Sequence, residues 1–238
     1  MSSQSQATVF ITGAGRGLGL GLAKAFAERG DRVIGAARRP EDATELAAVA
    51  DQVIALDVSS DESIAAAATA LAPLGRIDLL VNNAGIDARA AGGATDGRGP
   101  LSIGRTEMLA VMDVNVAGPV VLTQALLPLL EAAAAPIVVN ISSQLGAISF
   151  GGRAGSDLAY NASKSALNMV SVRTAAELSG RGVTVVCLHP GWVQTDMGGS
   201  GASLTADESA VAIAETVGGL TTADSGRFLT WDGRDHDW

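Results

Sequence analysis

The feature that most constrains this chain is a short β-rich run, Ala7 to Thr12, followed at once by Gly13, Gly15, Gly17 and Gly19, and then by Leu18, Leu22, Ala25 and Phe26 at helical spacing up to Gly30. The run has the character of a buried strand, the apolar spacing that of a helix, and Gly30 that of a stop. Strand, glycine turn and helix N-terminus together form a cradle for a pyrophosphate, because backbone N–H groups and the helix dipole favour an anion there. The spacing is not Gly-x-Gly-x-x-Gly, since Leu18 stands where the third glycine would be; it is Thr-Gly-x-x-x-Gly-x-Gly, through Thr12, Gly13, Gly17 and Gly19.

The rest of the chain continues in the same style. Strands read near 7–12, 32–37, 52–56, 77–82, 135–142, 182–188 and 226–230, with helical segments between them. Such alternation predicts an α/β fold, a single Rossmann-type doubly wound parallel sheet of about seven strands with helices on both faces, in which ligands bind at the carboxyl ends of the strands. Gly13, Asp57, Asn83, Ser143 and Pro190 each follow a strand, so they converge on one crevice. The length suits one such unit over 7–238, after a loose polar lead from Met1 to Gln6 and with no linker.

Composition excludes several classes. A formal net charge of -9 argues against nucleic acid as a partner. The longest apolar stretch, Pro119 to Ile141, is interrupted by Gln124, Pro128, Glu131, Pro136 and Asn140, which makes it a helix followed by a strand and not a membrane span. The N-terminus has neither a basic region nor an apolar core, so a cytoplasmic location is expected. Cys187 is the one cysteine and reads as a small core residue; His189 and His236 lack metal-ligand spacing, so no metal site is expected, and His189 reads as packing or capping at a strand end.

Tyr160 and Lys164 stand one helical turn apart. A fixed ammonium beside a phenol favours the phenolate, which suits Tyr160 for proton transfer. With this pair, the chain carries Thr12-Gly-Ala-Gly-Arg-Gly-Leu-Gly19, Leu56-Asp-Val58, Val81-Asn-Asn-Ala-Gly85, Asn115, Ile141-Ser-Ser143, Tyr160-Asn-Ala-Ser-Lys164 and Pro190-Gly191. In that order and from about Thr8 onward, it resembles the short-chain dehydrogenase/reductase family. Leu188-His-Pro-Gly-Trp-Val-Gln-Thr-Asp-Met197 and Trp231-Asp-Gly233 look most like the carbonyl-reductase-like branch that includes the C-factor proteins.

The resemblance implies a hydride-transferring oxidoreductase acting on a small-molecule carbonyl or alcohol with a nicotinamide nucleotide. Ser143, the second serine of its signature, would position the substrate carbonyl and Tyr160 would supply the proton. Lys164 would hold the nicotinamide ribose, and Asn115 would anchor a water leading to solvent; Ser142 would bond the backbone. Pro119, four residues after Asn115, would kink that helix. Gly13, Gly15, Gly17, Leu18 and Gly19 would take the pyrophosphate, Asp57 and Val58 the adenine, Asn83, Ala84 and Gly85 the adenosine ribose, and Pro190, Gly191, Val193 and Thr195 the nicotinamide end. Asp57 also reads as a helix cap before Ser59, and Asn82-Asn83 as a simple turn closer.

Strand two ends without the acidic residue that would hold an NAD ribose; Ala37 stands there, followed by Arg38 and Arg39. With Arg16 in the glycine turn, these guanidinium groups predict NADP(H) over NAD(H), against the alternative of a solvated charge cluster. The segment between Ser143 and Tyr160, including Gly151 to Ser156, is expected to line the pocket, and a short lid over Gly198 to Leu204 ends at a capping box from Thr205 to Glu208. The expected pocket is open with apolar walls from Leu145, Ile148, Phe150, Trp192 and Met197. The segment Ile86 to Arg105 reads as a surface loop beside the site. A homo-oligomer built on the helices around Asn115 and Tyr160 is expected. The competing readings are a nucleotide-binding regulator on the same fold, opposed by the complete tetrad, and a cofactor-free dehalogenase relative, opposed by the glycines and Lys164.

Overall fold

The computed structural model describes residues 6–93, 98–151 and 157–238; the lead before Gln6 and the 152–156 part of the expected pocket lining lie outside the described residues. The strands are β1 (Thr8–Ile11), β2 (Arg32–Ala37), β3 (Gln52–Ala55), β4 (Leu79–Asn82), β5 (Ile137–Ile141), β6 (Thr184–His189) and β7 (Phe228–Thr230). All pair in parallel in the order β3-β2-β1-β4-β5-β6-β7. The order reverses between β1 and β4, and the crevice above that point is where a doubly wound sheet binds its ligand.

Alternation along the strands builds two cores. Val9, Ile11, Val81, Val139 and Val186 face one way, under Leu22 and Phe26 of α1 (Gly17–Glu28), Leu46 of α2 (Thr44–Ala47), and Ile213 and Val217 of α8 (Ala206–Gly218). Phe10, Ile34, Leu80, Val138 and Val185 face the other way, under Ile64 and Leu71 of α3 (Asp61–Leu71), Leu122 and Leu126 of α5 (Gly118–Glu131) and Leu178 of α7 (Leu158–Leu178). Both faces of the central strands β1, β4 and β6 are buried, which is why they read as continuous apolar runs. Phe10 is fully buried, and truncating such a ring costs about 3–5 kcal/mol.

Where the helix carrying Asn115 was expected to kink, α4 (Arg105–Met112) passes through a π turn over Asp113–Ala117 into α5, and the Gly118 N–H reaches back five residues to the Asp113 carbonyl. Pro119 has no N–H to offer the Asn115 carbonyl four residues earlier, which favours this wider turn. The Thr205 capping box at the start of α8 forms as expected, with Thr205 and Glu208 exchanging bonds at 2.8 and 3.2 Å. The short helix after β5, α6 (Ile148–Gly151), carries Ile148 and Phe150 onto the exposed surface.

Candidate active site

The glycine turn closes directly against the end of β4. Gly13 has φ +63°, and a Cβ there would stand 2.9 Å from the Ala84 Cα; at Gly19 a Cβ would run to 2.3 Å from the Gly13 carbonyl oxygen. The Thr12 hydroxyl accepts the Asn83 and Ala84 N–H groups, each at 3.0 Å, and the Asn83 amide donates to the Thr12 carbonyl at 2.9 Å. Asn83 therefore knits β4 to the turn instead of closing a turn of its own, and Asn82 bonds inward to Asn140. Arg16 precedes α1 in extended conformation and no side chain caps the helix, so its first N–H groups are open to a ligand. A Cβ on Gly15 would meet only ordinary contacts from Ala37 and Ala43, while Gly17, at φ +54°, lies against Thr195. This cradle, which side chains would fill, fits a pyrophosphate.

The three arginines behave differently. Arg16 is ion-paired to Asp196 at 2.6 Å instead of reaching toward the end of β2, and Arg39 is paired to Asp42 at 2.8 Å. These are exposed pairs worth little, about 0–1 kcal/mol. Arg38 is exposed, and its charge falls on Asp57. Asp57 is not the helix cap: Ser60 caps α3, while the Asp57 carboxylate accepts the Ser59 hydroxyl at 2.6 Å and its N–H at 3.0 Å. Those bonds, with a smaller contribution from Arg38, hold its pKa below the usual carboxylate value. Val58 is buried behind it.

Ser143, Tyr160, Lys164 and Asn115 converge across the crevice. The Ser143 hydroxyl lies close enough to the Tyr160 phenol to favour its ionisation. Lys164 Nζ lies 5.6 Å from the Tyr160 ring centre and donates to the Ile141 carbonyl at 2.8 Å. A Cβ on Gly85 would stand 3.3 Å from Asn115 Oδ1 and 3.6 Å from Lys164 Nζ, so that glycine lets β4's loop pass between them. Fully buried Asn115 accepts the Ile86 N–H at 2.8 Å and donates to the Ile86 carbonyl at 2.8 Å and the Ser163 hydroxyl at 2.9 Å. Ser142 bonds Asn168 Oδ1 at 2.5 Å and not the backbone, which leaves Ser143 for the crevice.

Electrostatics correct one expectation. Burial pushes the Tyr160 phenol up to about 12 against the opposing effect of the Ser143 hydroxyl, and burial pulls Lys164 down to about 8. Spacing on the helix suggested that the ammonium would acidify the phenol; desolvation, and after it Asp87 and Asp157, raise the phenol instead. Cys187 is a buried core thiol, as expected, its pKa pushed up to about 12 by burial.

The pocket over Tyr160 encloses about 400 Å³ and is lined by Leu145, Trp192 and Met197 as expected, but also by Asp87, Arg89, Arg98, Asp157 and Asn161. Its wall is half charged. Ile148 and Phe150 do not line it, because α6 turns them outward. The charged residues were not singled out in the sequence; Asp157, three residues before Tyr160, has the spacing of an N-cap, the one signal that marks them. At the other end of the crevice, Pro190 accepts the Ser209 hydroxyl at 2.7 Å, Gly191 takes φ +84°, Val193 is bridged to Leu204, and the Thr195 hydroxyl accepts the Gly198 N–H at 3.1 Å. His189, at the end of β6, is buried with its ring edge-on to His236 at 5.7 Å.

The family model for short chain dehydrogenase matches residues 7–203. The chain belongs to the short-chain dehydrogenase/reductase family. As a member it is an oxidoreductase of the dehydrogenase/reductase type, built to use a nicotinamide nucleotide. It is 36% identical to the C-signal protein of Myxococcus xanthus over 69% of this chain and 94% of that one. Among solved structures it is similar to the NADPH-bound carbonyl reductase from chicken fatty liver, with 31% identity, a TM-score of 0.88, and 98% and 99% of the two chains covered. It is similar also to the carbonyl reductase Sniffer of D. melanogaster, at 31% identity, a TM-score of 0.89 and coverage of 98% and 100%. Within this short-chain dehydrogenase/reductase, the seven-stranded sheet and the carbonyl-reductase likeness agree with the sequence reading.

Proposed function

We propose that this protein is an NADP(H)-dependent carbonyl reductase acting on small aldehydes or ketones through Ser143, Tyr160, Lys164 and Asn115. The observation that carries the reading is the placement of the Ser143 and Tyr160 hydroxyls within reach of each other, with Tyr160 lining a pocket beside a cradle that only glycines leave open. Ser143 holds the substrate carbonyl oxygen, and Tyr160 donates the proton that becomes the new hydroxyl. Lys164, buried beside the ring, binds the nicotinamide ribose and returns a proton toward Tyr160, with Asn115 fixing the route from solvent. When bound, the nicotinamide supplies the hydride.

Gly13, Gly15, Gly17, Leu18 and Gly19 receive the pyrophosphate; Asp57 and Val58 receive the adenine; Asn83, Ala84 and Gly85 line the ribose; Pro190, Gly191, Val193 and Thr195 line the nicotinamide. Arg38, unpaired to any carboxylate among the described residues, is the first ligand for a 2′-phosphate, with Arg39 and Arg16 joining by leaving weak surface pairs. The chicken carbonyl reductase, solved with NADPH, supports that preference. Leu109 of α4 and Met169 and Val172 of α7 expose apolar surface on neighbouring helices, which supports assembly into a homo-oligomer, testable by sedimentation. The catalytic reading is tested by NADPH oxidation against aldehydes, ketones, diketones and quinones, with NADH in parallel. Faster turnover with NADPH at lower KM is the expected result; equal KM values for the two nucleotides would overturn the preference.

A further inference from the structure

Tyr160 is the only tyrosine in the chain, and a network of buried charge surrounds its helix. Asp157 caps α7 with Oδ1, which accepts the Tyr160 N–H at 3.0 Å. Its other oxygen accepts the Ala88 N–H at 2.9 Å and Arg98 Nη1 at 3.3 Å. Arg98 also lies 3.9 Å from Asp87, which in turn accepts Arg89 Nε at 2.7 Å and the Ala90 N–H at 3.0 Å. The side chains of Asp87 and Asp157 are only 9% and 10% exposed, and both residues line the cavity that Tyr160 lines. A serine or threonine would cap this helix as well. What a carboxylate adds is a fixed negative charge, tied to the loop after β4 and aimed at the start of the catalytic helix.

Among the described residues, the other charged groups around the ring are few. Lys164 faces it from α7, Arg89 and Arg98 accompany the carboxylates from the loop after β4, and the Cys187 thiol of β6 acts on Lys164. Beyond β5 the neighbour is the neutral Ser143 hydroxyl. On α4, Glu107 folds back over Gly104 and Arg105 is exposed; after β6, Asp196 is held by Arg16.

We propose that Asp157 is a positioning residue for Tyr160: it fixes the first turn of the catalytic helix to the loop after β4 and, with Asp87, keeps the phenol protonated, so that the site is set for carbonyl reduction over alcohol oxidation. This rests on the reductase reading above. In reduction the phenol O–H breaks and a new O–H forms on the carbonyl oxygen as the carbon accepts hydride from the reduced nicotinamide; the phenolate regains its proton through Lys164, which is resupplied from solvent. Oxidation needs the phenolate at the outset, a negative charge placed beside two carboxylates. Burial first, and then Asp87 and Asp157, raise the phenol, while the Ser143 hydroxyl opposes them. Arg98 and Arg89 offset part of each carboxylate's field, so each contributes modestly.

Because there is one tyrosine, the phenolate band in the near ultraviolet reports Tyr160 directly in the full-length protein, with no turnover required. Asp157→Asn and Asp87→Asn are expected to ionise at lower pH by roughly half a unit or more. Asp157→Ser, which keeps a capping oxygen without the charge, is expected to shift the same way with its circular dichroism unchanged. The alkaline limb of kcat/KM for reduction moves down with the titration, and alcohol oxidation at neutral pH rises relative to reduction; where unfolding precedes ionisation, that limb decides. Folded variants whose midpoint and limb coincide with those of the wild type would overturn the proposal, as would a lower kcat with no pH displacement, which marks a purely structural cap. Absence of NADPH turnover in the wild type would instead strike the reductase reading, while the titration would still report on Asp157.

Discussion

Where the glycine turn after β1 meets the end of β4 the crevice is shaped by missing side chains, whereas over Tyr160 it is shaped by side chains that carry charge. In the cradle, Gly13 and Gly19 leave room that a single Cβ would take, and backbone groups of Thr12, Asn83 and Ala84 hold the turn. Across the crevice, buried Lys164, His189, Asp87 and Asp157 stand within or beside the pocket, and each must be desolvated to do so. Shape therefore governs the first region and electrostatics the second. The cradle is expected to be sensitive to added volume and indifferent to pH, the pocket the reverse.

The largest expected effect is on the catalytic side. Tyr160→Phe keeps the ring and removes the proton donor, so kcat for carbonyl reduction is expected to fall by about 10²–10⁴-fold while NADPH binding, measured by fluorescence titration, is retained. Next comes acid stability. His189 titrates at about 4 in the fold, below its ordinary 6.5, because burial and then His236 disfavour the imidazolium. The unfolded chain thus binds more protons between those values, so the contribution is complete above pH 6.5 and is lost as pH falls to about 4, a loss of about 3 kcal/mol. Urea unfolding at neutral and acid pH measures it, and His189→Asn is expected to flatten the dependence.

The cradle is broken by volume. Gly19→Ala drives a methyl into the Gly13 carbonyl and is expected to cost about 1–3 kcal/mol in thermal unfolding, with a matching loss of nucleotide affinity. Gly15→Ala, with only ordinary contacts, is expected to leave stability unchanged, so any effect it has on NADPH binding isolates contact with the ligand. The smallest effects separate the arginines: Arg38→Ala is expected to raise KM for NADPH by about tenfold with little change for NADH, and Arg16→Ala, which loses only an exposed pair, by less than about fivefold.

The same division explains what the sequence made legible. The cradle is a local device: Thr12 through Gly19 are contiguous, so spacing marked the turn, and Asn83 and Ala84 follow β4 in one short motif that the family resemblance assigned. The strands were legible because most are buried on both faces and read as apolar runs, though several shortened at their ends; 77–82 became Leu79–Asn82, since Ile77 bonds Leu129 of the helix before β5 instead of a neighbouring strand. The charged wall was not legible. Arg98 meets Asp157 across 59 residues and Arg16 meets Asp196 across 180, distances at which no periodicity carries information. The apolar pocket inferred from Ile148 and Phe150 failed for a related reason: hydrophobicity shows which residues seek burial, but α6 leaves both on the surface.

The claim on which the rest depends is that these two regions meet at one reacting carbonyl. The most direct measurement is a single turnover, in which the protein preloaded with NADPH is mixed with a carbonyl substrate while nucleotide absorbance and alcohol product are followed together. The account predicts that the absorbance decays in step with formation of one alcohol per NADPH consumed. NADPH that stays bound and reduced in the folded protein against aldehydes, ketones, diketones and quinones alike would contradict it.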